Sequence, residues 1–301
     1  MDYQLAPICL FTYNRLDETK QTVEALQQNN LALNSELFIF SDGPKNEKAK
    51  SKIDEVRAFL KTIDGFKNIT IFEAEKNKGL ANSIIDGVTQ IIQQYGKVIA
   101  LEDDLVTAPN FLDFMNQSLD FHESTPKVFS ISGYTLDLPS LKTISKDYYL
   151  GYRASSLGWG TWQDRWSCVD WDVKHYDVFN KSLSKKIKFM RGGSDMPYML
   201  KNQIKGKIDS WAIRWCFHQF NNDLLTVFAS KSKLLHIGDG EAATNAKFTN
   251  RFDTELDVSD KRKFMFDKEI YLNPKLVAEF RGKFSIKNRL KDKIKQLFIK
   301  Q

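Results

Sequence analysis

The first hundred residues alternate short apolar runs with amphipathic stretches, and this constrains the fold more than any other feature of the chain. Ile8 to Thr12, Glu36 to Ser41, Asn68 to Phe72 and Val98 to Leu101 are short runs rich in branched and aromatic residues, as buried strands are. Between them apolar residues recur at helical spacing: Leu16, Thr19, Val23 and Leu26, then Ile53, Val56, Phe59, Leu60 and Ile63, then Leu80, Ile84, Val88, Ile91 and Ile92. Strands alternating with helices predict an α/β fold with parallel pairing and helices on both faces of the sheet. Ligands of such sheets bind outside the carboxyl ends of the strands. Those ends read Tyr13-Asn14-Arg15, Ser41-Asp42-Gly43-Pro44 and Glu102-Asp103-Asp104. A further helix is expected from Pro109 to Phe121 and a short strand from Val128 to Ile131.

The triplet Glu102-Asp103-Asp104 carries the most chemistry. Adjacent carboxylates at the end of a buried strand repel one another in a partly dry site. A divalent cation relieves that repulsion. Mg²⁺ and Mn²⁺ favour carboxylate oxygen and often also hold the phosphate oxygens of a nucleotide. The competing reading is a solvated acidic turn. No GxGxxG follows the first strand and no GxxxxGK[ST] occurs anywhere, so dinucleotide and P-loop sites lose their main support. No serine or cysteine sits in a nucleophile elbow.

The three cysteines, Cys9, Cys168 and Cys216, are scattered. A disulfide framework or zinc site is not expected, and a reducing compartment fits. The net charge of +6 is a property of the tail: residues 280–301 hold eight basic residues and one acid, against 36 basic and 37 acidic residues elsewhere. That distribution argues against a nucleic-acid groove across the body. Met1-Asp2-Tyr3-Gln4 lacks a basic stretch followed by an apolar one, and no apolar run is long enough to span a bilayer, so neither a signal peptide nor a spanning helix is expected.

Beyond Asp104 the pattern turns aromatic. Ser156-Leu157-Gly158-Trp159-Gly160-Thr161-Trp162 and Asp209-Ser210-Trp211-Ala212-Ile213-Arg214-Trp215 stand out. With these segments, Val98 to Phe114 (an apolar strand, Glu-Asp-Asp, Leu-x-x-Ala-Pro and an aromatic helix) resembles GT-A-fold glycosyltransferases. The likeness is to the N-acetylglucosaminyltransferase I group and to bacterial family-2-like sugar transferases. It covers roughly residues 6 to 245.

The resemblance implies a GT-A, Rossmann-like mixed sheet covered by helices. It implies an enzyme moving a sugar from a nucleoside-diphosphate sugar, with a UDP-sugar favoured, to a saccharide or lipid-linked saccharide hydroxyl with inversion. It assigns Asp104 to the metal, Asp103 to the ribose and Glu102 to the donor sugar. Arg15 and Asp42 go to the nucleotide, with Asp42 near the base, and Asp209 becomes the catalytic base. The family has two aspartates before the tryptophan where this chain has Asp209-Ser210, so Asp164 and Glu241 stay open as rivals.

Other readings compete at several of these positions. Ser-Asp-Gly-Pro is also a turn signal, Arg15 can begin a helix as a solvated residue, and Asp209 can cap one. Trp159 and Trp162 suit either a sugar face or a core. Trp211 and Trp215 read as core, and His236 as structural, outside the metal shell.

The expected division is a nucleotide-sugar half (1–108), an acceptor half (109–255) and an extension (256–301) ending in a basic amphipathic helix. In that helix Ile286, Leu290, Ile294 and Leu297 form one stripe, suited to an anionic membrane surface, to docking on the body, or to fraying. The expected location is the cytoplasm, peripheral at the inner leaflet. The alternatives to transfer are a carbohydrate-binding scaffold without turnover, or a nucleotidyltransferase.

Overall fold

The computed structural model of the chain describes residues 4–238 and 250–291. Strands β1 (Ile8–Thr12), β2 (Glu36–Ser41), β3 (Asn68–Glu73) and β4 (Lys97–Glu102) alternate with helices α1 (Leu16–Gln27), α2 (Glu47–Leu60) and α3 (Leu80–Tyr95). A short β5 (Leu105–Thr107), α4 (Phe111–His122), β6 (Val128–Ser132), β7 (Tyr148–Gly151) and β8 (Trp159–Trp162) follow. Then come α5 (Gln163–Ser167), α6 (Tyr176–Lys181), α7 (Leu183–Phe189), α8 (Met196–Ile204) and α9 (Trp211–Asn221). The described chain closes with β9 (Leu225–Ala229), β10 (Leu234–His236) and α10 (Pro274–Lys283).

The main sheet has the order β3-β2-β1-β4-β8-β6-β9-β7. The four strands read from the alternation pair in parallel. The second half departs from an all-parallel sheet: β8 runs antiparallel to both β4 and β6, and β7 antiparallel to β9. This is the mixed, helix-covered sheet expected of a GT-A fold.

Side chains alternate across each strand. Ile8 and Leu10 therefore join the core under α1 and α2, while Cys9 and Phe11 join the core under α3 and α9. Because β8 is antiparallel, Trp159 pairs with Ala100 near the carboxyl end of β4, and Trp162 pairs with Lys97 at its amino end. Helix α9 leads back to the amino end of β9, which lies parallel to β6. The start of α9 therefore lies at the same sheet edge as Glu102.

Residues 250–284 return over the body. Asp257 takes the buried Lys233 ammonium and the Asn110 amide. Phe264 meets Phe114 edge to face at 5.3 Å, and Glu279 accepts from the Ser140 amide at 3.0 Å. Glu241 and the tail beyond residue 291, with Ile294 and Leu297, lie outside the described residues.

Candidate active site

The carboxyl end of β4 sets the acidic triplet beside the carboxyl end of β1. Asp103 and Asp104 are both buried. The Tyr13 amide, just beyond β1, donates to Asp103 Oδ2 at 3.2 Å. Arg15 reaches both aspartates: one guanidinium nitrogen pairs with Asp103 Oδ1, and Nη1 donates to Asp104 Oδ2 at 2.8 Å. Arg15 is therefore held between these two carboxylates and is not a solvated helix start.

Asp104 has a second partner that the sequence did not reveal. Strand β10 pairs antiparallel with β5, setting His236 opposite Leu105. That register brings His236 Nε2 to 3.2 Å from Asp104 Oδ2, and the Ile237 amide donates to the Asp104 carbonyl at 2.9 Å. The expectation that His236 stands apart from this site is corrected. The short run Leu234-Leu235 before it was the only local cue. The pairing across 132 residues leaves no trace in spacing.

Gly238 completes the arrangement. A Cβ there would collide with the Asp104 carboxylate and come within 2.8 Å of His236 Nε2. Only glycine leaves the side of this pair uncovered.

The electrostatics favour a cation. Burial, reinforced by Asp104 and Asp103, pushes Glu102 up to about 8. Burial also raises Asp103, to about 6, against the pull of Arg15. Burial works against charge on Asp104 too, but His236 and Arg15 outweigh it and hold its carboxyl below the usual range. Asp104 is thus the carboxylate kept ionised at neutral pH, while Glu102 tends to keep its proton.

Among the described residues no three His, Cys, Asp or Glu side chains converge as a ready-made metal cage. Asp104 and His236 offer two ligands side by side. This suits a hard cation that takes its remaining oxygens from water and phosphate. The residues present fit Mn²⁺ or Mg²⁺.

Asp42 stands at the end of β2, but its carboxylate is already committed. It accepts from the Gly43 amide (2.8 Å), the Asn77 side chain (2.9 Å), the Lys78 amide (2.8 Å) and the Gly79 amide (3.0 Å). These four donors match the four lone-pair sites of a carboxylate. Asp42 ties the end of β2 to the loop before α3. Gly43 permits this, since a Cβ there would lie 2.7 Å from the Lys76 amide nitrogen. The expected contact to a base would have to displace one of these bonds.

Of the candidates for a base, Asp209 is exposed, precedes α9 at the carboxyl edge of the sheet, and lies 3.4 Å from Arg214. It does not cap the helix: Ser210 does, its hydroxyl accepting from the Ile213 amide. Asp164 is excluded by topology. It follows β8, whose end lies beside Lys97 at the opposite edge, and it pairs with Arg165 at 2.8 Å.

The tryptophans are core. Trp159 packs against Trp166, Trp211 and Trp215 at centroid distances of 5.5, 5.1 and 4.5 Å. Trp162 is buried and donates its indole N–H to the Leu119 carbonyl. Neither offers a face to a sugar.

The strand ends thus gather Arg15, Asp103, Asp104 and His236 at one place on the carboxyl edge of the sheet. Residues 8–153, just under half of the chain, match the family model of glycosyl transferase family 2. No curated protein matches the chain. Among solved structures it is similar to the mannosyltransferase PcManGT from Pyrobaculum calidifontis in complex with GDP-Man and Mn²⁺, at 11% identity over 55% of this chain and 48% of that one (TM-score 0.37). It is also similar to residues 1–349 of S. aureus TarS, at 8% identity over 77% of this chain and 60% of that one (TM-score 0.43). The chain therefore spans about half the length of the first and under two thirds of the second.

Proposed function

We propose that the protein transfers a sugar from a nucleoside-diphosphate sugar to a saccharide hydroxyl, with inversion, in glycoconjugate or polysaccharide assembly, and that a divalent cation held by Asp104 and His236 is required. The observation that carries this reading is the approach of His236 Nε2 to Asp104 Oδ2 at 3.2 Å, beside which only glycine fits at position 238. When bound, the cation supplies charge stabilisation to the leaving diphosphate.

The other steps belong to the chain. Arg15, whose two terminal nitrogens already pair with Asp104 and Asp103, turns a remaining N–H to a phosphate oxygen. Asp103, buried behind it, accepts from the ribose hydroxyls. Glu102, at the end of β4, hydrogen-bonds the donor sugar. Asp209 takes the proton from the acceptor hydroxyl as that oxygen attacks the anomeric carbon opposite the diphosphate. Such a base is worth roughly 10²–10⁴ in rate. Asp42 sets the loop that borders the nucleotide.

The test is a thermal-shift and turnover panel of UDP-, GDP- and dTDP-sugars, each with and without Mn²⁺. UDP-sugars, the donors favoured by the resemblance, are tried first. Metal-dependent stabilisation by one donor, with turnover, is expected. Equal stabilisation without metal would overturn the cation role, and no response to any donor would overturn the donor reading. Asp209→Asn should keep donor affinity and lose turnover; unchanged turnover would remove it as the base.

A further inference from the structure

We propose that helix α7 and the adjacent helical residues 286–291 form one docking surface for an anionic lipid bilayer. The two segments are far apart in sequence but share a support. Helix α7 runs into the 3₁₀ turn Met190–Gly192, and Ser194 just beyond it donates to the Phe284 carbonyl at 2.8 Å and lies 3.4 Å from Arg289 Nη2. The Phe284 ring sits under the Arg153 guanidinium at 4.1 Å. Phe189 anchors α7 from the other side, packed on Phe179, Phe217 and Phe220. Both segments are thus held firmly by buried aromatics.

What they present outward is unusual for a water-facing surface. Leu183 and Ile187, one helical turn apart, are 72% and 58% exposed; Ile286 and Leu290, also one turn apart, are 58% and 53% exposed. Around them the charge has one sign. Residues 181–191 hold five basic residues and no acid, and residues 281–291 hold another five and no acid. Of the carboxylates near this region among the described residues, Asp223 is taken by Lys127 and Arg191, and Asp195 by Arg153.

Exposed aliphatics set among lysines match the boundary of an anionic bilayer. There the apolar side chains enter the acyl region and the ammonium groups stay at the headgroups. A nucleic acid would use the charge but leave the aliphatics in water. Among the described residues no helix is long and apolar enough to cross a membrane, so the contact proposed is peripheral. It places the transferase where lipid-linked acceptors lie.

The experiment is sedimentation of the full chain with vesicles of phosphatidylcholine alone, and of phosphatidylcholine with phosphatidylglycerol. The variants are Leu183→Glu/Ile187→Glu and Ile286→Glu/Leu290→Glu. The wild-type protein should sediment with the anionic vesicles only, and high salt should release it. Each double variant should weaken binding about ten-fold or more, with thermal unfolding and donor affinity unchanged because all four side chains are exposed. Failure of the wild type to bind anionic vesicles would overturn the proposal. So would binding unaffected by either variant. Loss confined to the 286/290 variant would overturn the shared surface, by reducing it to a tail effect.

Discussion

Two clusters lie side by side at one edge of the sheet, and they answer to opposite physics. The Glu102-Asp103-Asp104 triplet and the tryptophans around Trp159 are neighbours, since Ala100 pairs with Trp159 across β4 and β8. Both look like binding motifs. The tryptophans cover one another's faces: their rings pack together and the Trp166 indole N–H reaches Thr89 at 2.9 Å, with the Trp215 indole N–H alone in the cluster left buried without a hydrogen-bond partner among the described residues. The carboxylates do not satisfy one another. Three acids face one arginine and one histidine in a buried setting, and two of the three are driven toward protonation. A cluster that relieves its own burial builds the fold; one left with surplus charge is poised to bind.

The sharpest break in that contrast is Trp159→Ala. If the cluster is core, removal costs about 3–5 kcal/mol. The melting temperature falls steeply, while donor affinity of the folded protein at low temperature is retained. Lost affinity with an unchanged melting temperature would make Trp159 a sugar platform. Asp104→Ala should reverse the balance: a loss of about a hundred- to a thousand-fold in kcat/KM, loss of the response to Mn²⁺, and a fall in melting temperature much smaller than that of Trp159→Ala, because only the pairs with Arg15 and His236 are lost, read by calorimetry.

Asp42→Ala leaves three backbone amides and one side chain without their acceptor, and should cost about 2 kcal/mol in urea unfolding. If Asp42 served the base alone, stability would be unchanged. Gly238→Ala should lower cation affinity about ten-fold or more, measured by Mn²⁺ titration without donor, by filling the gap beside Asp104.

The smallest effect at neutral pH concerns a third buried group. His122 is enclosed by Phe121, Tyr148 and Phe266, and its ring nitrogens have no hydrogen-bond partner among the described residues. Burial lowers it to about 4. Below the ordinary histidine value of 6.5 the unfolded chain takes up a proton that the folded chain refuses. Stability is therefore full above about 6.5 and falls as pH drops toward 4. His122→Phe should flatten that acid limb in thermal unfolding measured across the range; an unchanged limb would assign it to other groups.

The parallel half of the fold was legible because its signal is local: strand residues alternate faces and helix residues recur every turn, so β1 to β4 and α1 to α3 can be read residue by residue. The triplet was legible for the same reason, as a charge run closing an apolar strand. Asp42 shows the limit. Its place at a strand end was visible, but the four donors that occupy it come from Gly43 and a loop 35 to 37 residues on. Asp164 shows the same limit in another form. Only the reversed direction of β8 sends it to the wrong edge.

By itself, then, the sequence determined the class of fold, the charged edge and the identity of its acids, because periodicity and charge are properties of neighbours along the chain. The tertiary structure alone decided which groups meet. It brought His236 to Asp104 and placed Gly238 beside them, closed the tryptophans on one another, and set Ser194, beyond α7, against Phe284 and Arg289. Each of those choices depends on strand direction and register between segments far apart, and neither direction nor register is written in any local pattern.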